Sequence, residues 1–200
     1  MRQSTILAAA FLAVLSCAAR AATYEIDPVH SQVAFKVQHL VGKVSGRFTA
    51  FSGTISYQAG KPETWTVSAK IDPAAINTDN EKRDAHLKSP DFFDTAKCPE
   101  MGFKSLKVTD VKGESAKLHG ELTMHCVTKH VVLDLELGGA GKDPWGIARA
   151  GFSAKIRLNR KDFGIVWNKT LDAGGLMIGD DVDVTIDVEA AAKAPAPVKR

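Results

Sequence analysis

The chain is predicted to be all-β, an eight-stranded antiparallel barrel with a short helical insertion near one opening. Three observations carry that expectation. Apolar and polar residues alternate with period two through most of the chain, the mark of half-buried strands. Short turn-forming stretches separate the alternating runs, so neighbours should be antiparallel and the sheet an up-and-down meander. About eight strands with one apolar face each must bury it in a sandwich or in a sheet closed on itself, and closure also removes exposed edges.

Taken in chain order, Val33, Phe35 and Val37 alternate with Gln32, Lys36 and Gln38. A long segment from Lys43 to Tyr57 follows, with a bend expected at Gly46 or Gly53. Trp65, Val67, Ala69 and Ile71 alternate with Thr64, Thr66, Ser68 and Lys70. Met101 to Val108 forms a further strand, and Leu118, Leu122 and Met124 share a face with Gly120. Val131, Leu133, Leu135 and Leu137 form the next apolar face, then Phe152, Ala154, Ile156 and Leu158, then Val182, Val184, Ile186 and Val188. The turns fall at 58–62, 111–114, 138–144 and 172–175. Residues 80–94 break the alternation with helix-forming residues: Asp79 or Asn80 offers a cap, and Ser89-Pro90 ends the run. Such an excursion commonly covers one open end of a barrel. An eight-stranded barrel is filled by its own side chains or holds one small ligand, and periodicity alone does not choose between them.

The chain ends differ from the body. Residues 1–21 have the form of a secretory signal: Arg2, an uncharged run from Ile6 to Leu15, then Ala19-Arg20-Ala21. The run is shorter than the roughly 20 residues of a membrane-spanning helix. Val14-Leu15-Ser16-Cys17 loosely resembles a lipoprotein processing site, an alternative in which Cys17 is lipidated. The barrel domain is placed at 22–190 and a disordered Ala/Pro/Lys tail at 191–200, by composition. The formal charge of +3 resides in these ends. Arg2, Arg20, Lys193, Lys199 and Arg200 account for five of the 26 basic groups, leaving 21 against 23 acidic ones. The body is therefore not basic, and no nucleic-acid partner is expected.

Beyond Cys17 the cysteines are Cys98 and Cys126, an even number in an exported chain. If 101–108 and 116–124 form a hairpin turning at Lys112-Gly113, opposed residue numbers sum to about 225. Cys98 and Cys126 fall within one residue of that register, so a disulfide is expected.

Catalytic and metal motifs are sparse. The histidines His30, His39, His86, His119, His125 and His130 show no HExxH spacing, and no CxxC occurs, so no metal site is assigned. His119 and His125 have the parity of outward positions. No Gly-x-Ser-x-Gly elbow and no Gly-x-Gly-x-x-Gly loop is present. Arg83 and Asp84 are adjacent on the insertion and do not face each other on a helix; a structural role is favoured over a catalytic one. A hydrolase or isomerase using His30, His39 or Asp27 is the alternative from another class; no catalytic residue is assigned.

The chain resembles the YceI-like family of bacterial periplasmic lipid-binding proteins, often called polyisoprenoid-binding. The resemblance rests on 24–31 (YEIDPVHS), 33–39 (VAFKVQH), Gly46-Arg47-Phe48 through Gly53, 83–87 (RDAHL) and Phe92-Phe93-Asp94. It continues through 99–105 (PEMGFKS), 120–125 (GELTMH), Val127-Thr128-Lys129, 160–164 (RKDFG) and Gly179-Asp180 to Glu189. Order and spacing together make it specific over essentially the whole body.

The resemblance implies a lipocalin-like barrel holding an elongated apolar ligand, such as an isoprenoid quinone or a fatty amide, with no further cofactor. It also implies a homodimer or a membrane cytochrome b-type partner, as an accessory to quinone-linked redox chemistry. Two positions depart from the family pattern. Cys126 stands where His-Gly usually precedes Val-Thr-Lys, and Cys98 replaces an aromatic before Pro-Glu. The expected lining is Val33, Phe35, Val37, Phe48, Trp65, Val67, Phe103, Leu122, Leu133, Leu135, Phe152, Ile156, Val184 and Ile186. Leu87, Phe92 and Phe93 are expected at the mouth, with His39 or Arg47 meeting a head group.

Overall fold

The computed structural model describes residues 21–170 and 175–193. Residues 1–20 of the expected signal, Cys17 among them, the expected turn at 172–175 except Gly175, and residues 194–200 of the tail lie outside the described residues.

Eleven hydrogen-bonded strands form eight staves: β1 (Ala22–Ile26), β2 (Gln32–His39), β3 (Gly42–Phe48), β4 (Phe51–Tyr57), β5 (Thr66–Ile71), β6 (Ile76–Asn77), β7 (Met101–Lys112), β8 (Ser115–Met124), β9 (Val127–Lys142), β10 (Ala148–Asn159) and β11 (Ile178–Ala192). The ring runs β1-β4-β5-β7-β8-β9-β10-β11 and is closed by β1 against β11, every pair antiparallel. This is the expected barrel with meander connectivity.

Three staves are broken at the same height: β1 from β2 at 27–31, β3 from β4 at 49–50, and β5 from β6 at 72–75. Pro28 and Pro73, which lack an N–H and fix φ, sit at two of the breaks. Thr49 N donates to Ala75 O and Asp72 N to Ala50 O, both at 3.0 Å, so the fold line is stitched across neighbouring staves. The bend therefore lies at 49–50 and not at Gly46 or Gly53, which stay inside strands. Those glycines answer a different need. A methyl at Gly46 would sit 2.3 Å from the Phe35 ring, and one at Gly53 would sit 2.5 Å from Ser68 O. Gly120 accommodates Phe103 in the same way, at 2.3 Å.

Above the fold line β2, β3 and β6 continue from β11, and β6 does not pair with β7. The wall is open there, and the insertion fills the opening. Its helix α1 (Glu81–Lys88) starts at Asn80, whose side chain accepts from Arg83 N, and ends at Ser89. Arg83 and Asp84 both reach Thr78, which is 5% exposed. Arg83 Nε and Nη2 donate to Thr78 Oγ1 and O at 2.7 Å, and Asp84 Oδ1 accepts from Thr78 N and Oγ1. Cys98 is disulfide-bonded to Cys126, tying the far arm of the insertion to the β8–β9 turn. The hairpin has the expected register, Gly102 opposite Thr123 and Phe103 opposite Leu122.

Two boundaries differ from expectation. β9 continues to Lys142 through the Gly138–Gly141 stretch, where a turn was expected, and the turn falls at Asp143–Gly146. A register shift at Gly151/Phe152 absorbs the irregularity and keeps the strands paired. At the other end β11 runs to Ala192, so residues 191 and 192, expected in the tail, belong to the barrel. Ala190, Ala191 and Ala192 pair with Ile26, Glu25 and Tyr24. Ala190 is fully buried against Tyr24, Ile55 and Ala150, where small side chains let the closing staves approach.

Candidate functional site

The barrel encloses a cavity of two lobes that share Val33, Phe48, Met124, Leu158 and Val184. The inner lobe, about 180 Å³, is surrounded by β4, β5 and β7–β11. Among the described residues no charged side chain lines it, and its hydroxyl groups are those of Ser52, Ser56 and Tyr57. The outer lobe, about 360 Å³, lies under α1 and falls within the roughly 300–1,000 Å³ of small-molecule sites. Inward parity along each strand builds both lobes: Leu133 and Leu135 on β9, Phe152, Ala154 and Ile156 on β10, Val184 and Ile186 on β11.

Every expected lining residue except Arg47 lies on one lobe or the other. Val33 and Phe48 stand between the lobes. Trp65, Val67, Phe103, Leu122, Leu133, Leu135, Phe152, Ile156 and Ile186 line the inner one. Phe35, Val37, His39, Leu87, Phe92 and Phe93 line the outer one. Arg47 points outward and pairs with Asp79 at 3.3 Å, because the odd positions of β3 face away from Phe48. It therefore lines neither lobe.

The outer lobe also has walls that the sequence did not announce. Ile165, Trp167 and Met177 come from the connection between β10 and β11, which has no periodic pattern, and Ile178 from the first position of β11. Arg160 holds that connection in place. It is 5% exposed and donates to the carbonyls of Ile165, Trp167 and Gly179, with Asp180 as its counter-ion. Burial pulls its pKa down, and Asp180 opposes that pull. His86 packs edge-on against Phe92 and Trp167, with ring centroids 5.0 and 4.8 Å apart, while its Nε2 donates to Asp91. Lys82 and Arg83 also border this lobe, and no carboxylate does, among the described residues.

The remaining expected polar residues lie elsewhere. Asp27 and His30 sit on the outer wall beside Glu189, their ligand-type atoms within 4.8 Å of one another. Arg149 already supplies the cation there, its Nη1 3.0 Å from Asp27 and 2.6 Å from Glu189. The His30 hydrogen bond and then Arg149 hold the Asp27 carboxyl down to about 2. His39 borders the outer lobe, apart from this outer-wall cluster, so the three residues of an acid–base site do not converge on one cavity. His119 is on the outer face as expected, hydrogen-bonded to Thr109 and near His130. His125 is instead a turn residue whose Nδ1 donates to Phe163 O at 2.9 Å.

A closed meander barrel around a deep, almost wholly apolar cavity defines the class: a container barrel whose side chains enclose a space. The chain belongs to the YceI-like domain family, whose model matches residues 24–190. It is 39% identical over 168 residues to a UPF0312 protein of Vibrio cholerae, covering 82% of this chain and 89% of that one. A UPF0312 protein of Pseudomonas syringae pv. tomato is 42% identical over 150 residues, 74% of this chain and 78% of that one. Among solved structures, a Campylobacter jejuni YCEI protein is 34% identical, with a TM-score of 0.69, covering 78% of this chain and 90% of that chain. A polyisoprenoid binding domain from Saccharophagus degradans shares the fold at 18% identity, with a TM-score of 0.64, covering 87% of this chain and all of that one.

Proposed function

We propose that the protein is a periplasmic carrier that sequesters or transports a long-chain lipid, an isoprenoid of quinone type or a fatty acyl or amide chain, inside its barrel. The observation that carries the reading is the inner lobe, with no charged side chain in its lining among the described residues, beside an outer lobe that is itself mostly apolar. Each CH₂ moved from water into such a space contributes about 0.8 kcal/mol, so affinity grows with chain length more than with head-group contacts. The name of the Saccharophagus neighbour supports an isoprenoid chain. The signal-like residues 1–21 support export, with cleavage after Ala21 at the threshold of β1.

The head group belongs in the outer lobe, where His39 and His86 offer ring nitrogens beside aromatic walls. Organic extraction of protein purified from its native compartment, followed by mass spectrometry, tests the reading. A long-chain lipid near one per protein is expected. An empty extract, together with no uptake of quinone or fatty amide by the purified protein, would falsify it.

A further inference from the structure

The mouth of the cavity carries an apolar rim that the packing of the fold does not require. The β2–β3 connection is the two-residue turn Leu40-Val41, with His39 and Gly42 paired across it. Leu40 adopts φ 52°, a left-handed conformation that favours Gly, Asn or Asp, and Val41 is fully exposed. Turn physics thus argues for small polar residues where two large apolar ones stand. Strain kept at a site against local preference points to function.

The same surface extends onto the β10–β11 connection. Leu40 N donates to Met177 O at 2.9 Å and Met177 N to Lys169 O at 3.0 Å, joining the turn and the connection into one rim. Along that rim inward and outward positions alternate. His39, Ile165, Trp167 and Met177 line the outer lobe, while Leu40, Val41, Val166 and Leu176 are exposed. The exposed surface is therefore continuous with the apolar interior. Among the described residues 38–43, 164–170 and 175–178 the charged side chains are Lys43, which pairs with Asp183, and Lys169.

We infer that this rim is a membrane-docking surface, which seats on an anionic bilayer so that a lipid chain passes between bilayer and barrel without crossing water. The inference rests on the carrier reading above and commits to a lipid surface as the partner. A bilayer is apolar just beneath a charged surface, which matches exposed Leu and Val side chains with Lys169 beside them; such binding scales with apolar area and with attraction to anionic lipid.

The decisive variant is Leu40→Gly with Val41→Asn, which suits the turn better and so preserves the fold. Neither residue lines the cavity. Flotation of the purified protein with phosphatidylglycerol–phosphatidylethanolamine vesicles is expected to show binding that falls about tenfold in the variant, the factor that about 1.4 kcal/mol of lost burial produces. Lys169→Gln is expected to weaken binding further and to flatten its salt dependence. Cavity filling is read separately, from the quinone retained after delivery in detergent, and is expected to be equal in both proteins. Wild-type protein that fails to float, or a variant that floats equally well, overturns the inference. Absence of retained quinone and of retained fatty amide in both proteins instead overturns the carrier reading.

Discussion

At the β8–β9 turn His125 and Cys126 both have positive φ, 51° and 59°, the geometry of a type I′ hairpin turn that favours Asn and Gly. Left-handed backbone costs a residue with a side chain roughly 1–2 kcal/mol. The disulfide to Cys98 and the hydrogen bond from His125 to Phe163 O offset that cost and anchor the insertion and the turn after β10 to one point. Closing a loop of 28 residues is worth about 3–4 kcal/mol in the chain-entropy estimate. Cys98→Ser with Cys126→Ser is expected to lose that much in chemical denaturation. Cys98→Ser with Cys126→Gly recovers about 1 kcal/mol, because glycine adopts the turn freely; equal stability of the two variants would contradict this account. The pairing was legible because hairpin register is arithmetic. The left-handed turn was not, since neither His nor Cys signals it.

Asp27 gives a pH dependence at the same scale. Its carboxyl is held at about 2, below its ordinary 3.8, by His30 and Arg149. A depressed carboxylate contributes stability fully above about pH 4, and that contribution drains as pH falls through about 2. Asp27→Asn is expected to flatten the acid limb of the unfolding midpoint between those values while leaving its slope near neutrality unchanged. An acid limb identical to wild type would show that the cluster contributes nothing.

Among the elements, strand faces were the most legible feature and breaks the least. Inward parity on β7 to β11 follows from period two, and it placed Leu133, Leu135 and Phe152 on the cavity wall. The fold line at 49–50 has no Pro or Gly and is set by its stitched neighbours, whereas the glycines at 46 and 53, where a bend is expected, lie inside strands. Their role predicts a test: Gly46→Ala must push against the Phe35 ring and is expected to cost about 1–3 kcal/mol, the usual range for overpacking. The insertion is legible as a capped helix, but its anchor is tertiary. Thr78→Val removes the hydroxyl shared by Arg83 and Asp84. Amides of α1 are then expected to exchange with solvent faster, with global stability less affected, because the helix presents no fully buried residue of its own. Unchanged exchange across 81–88 would mean that Thr78 is not the anchor.

The whole molecule is a barrel broken along one line, with a closed lower half and a flared upper half covered by α1. That shape explains why two lobes form and why the polar side chains collect near the outer one. Alternation revealed the wall but not whether the wall encloses space, because inward Leu and Val positions read alike in a filled core and a hollow one. The connection from Gly164 to Met177 carries neither period nor motif, so Ile165 and Trp167 became visible as walls only through the carbonyls that Arg160 gathers. In the proposed carrier an apolar chain threads past Val33 and Phe48 into the inner lobe. Ala154→Phe narrows that lobe with a side chain that still suits an apolar interior. Native mass spectrometry of the wild type and this variant, loaded with the same mixture of quinones of increasing chain length, is the most direct measurement. The variant is expected to fold and to retain only shorter chains. Retention of the same chain lengths by both proteins would contradict that threading.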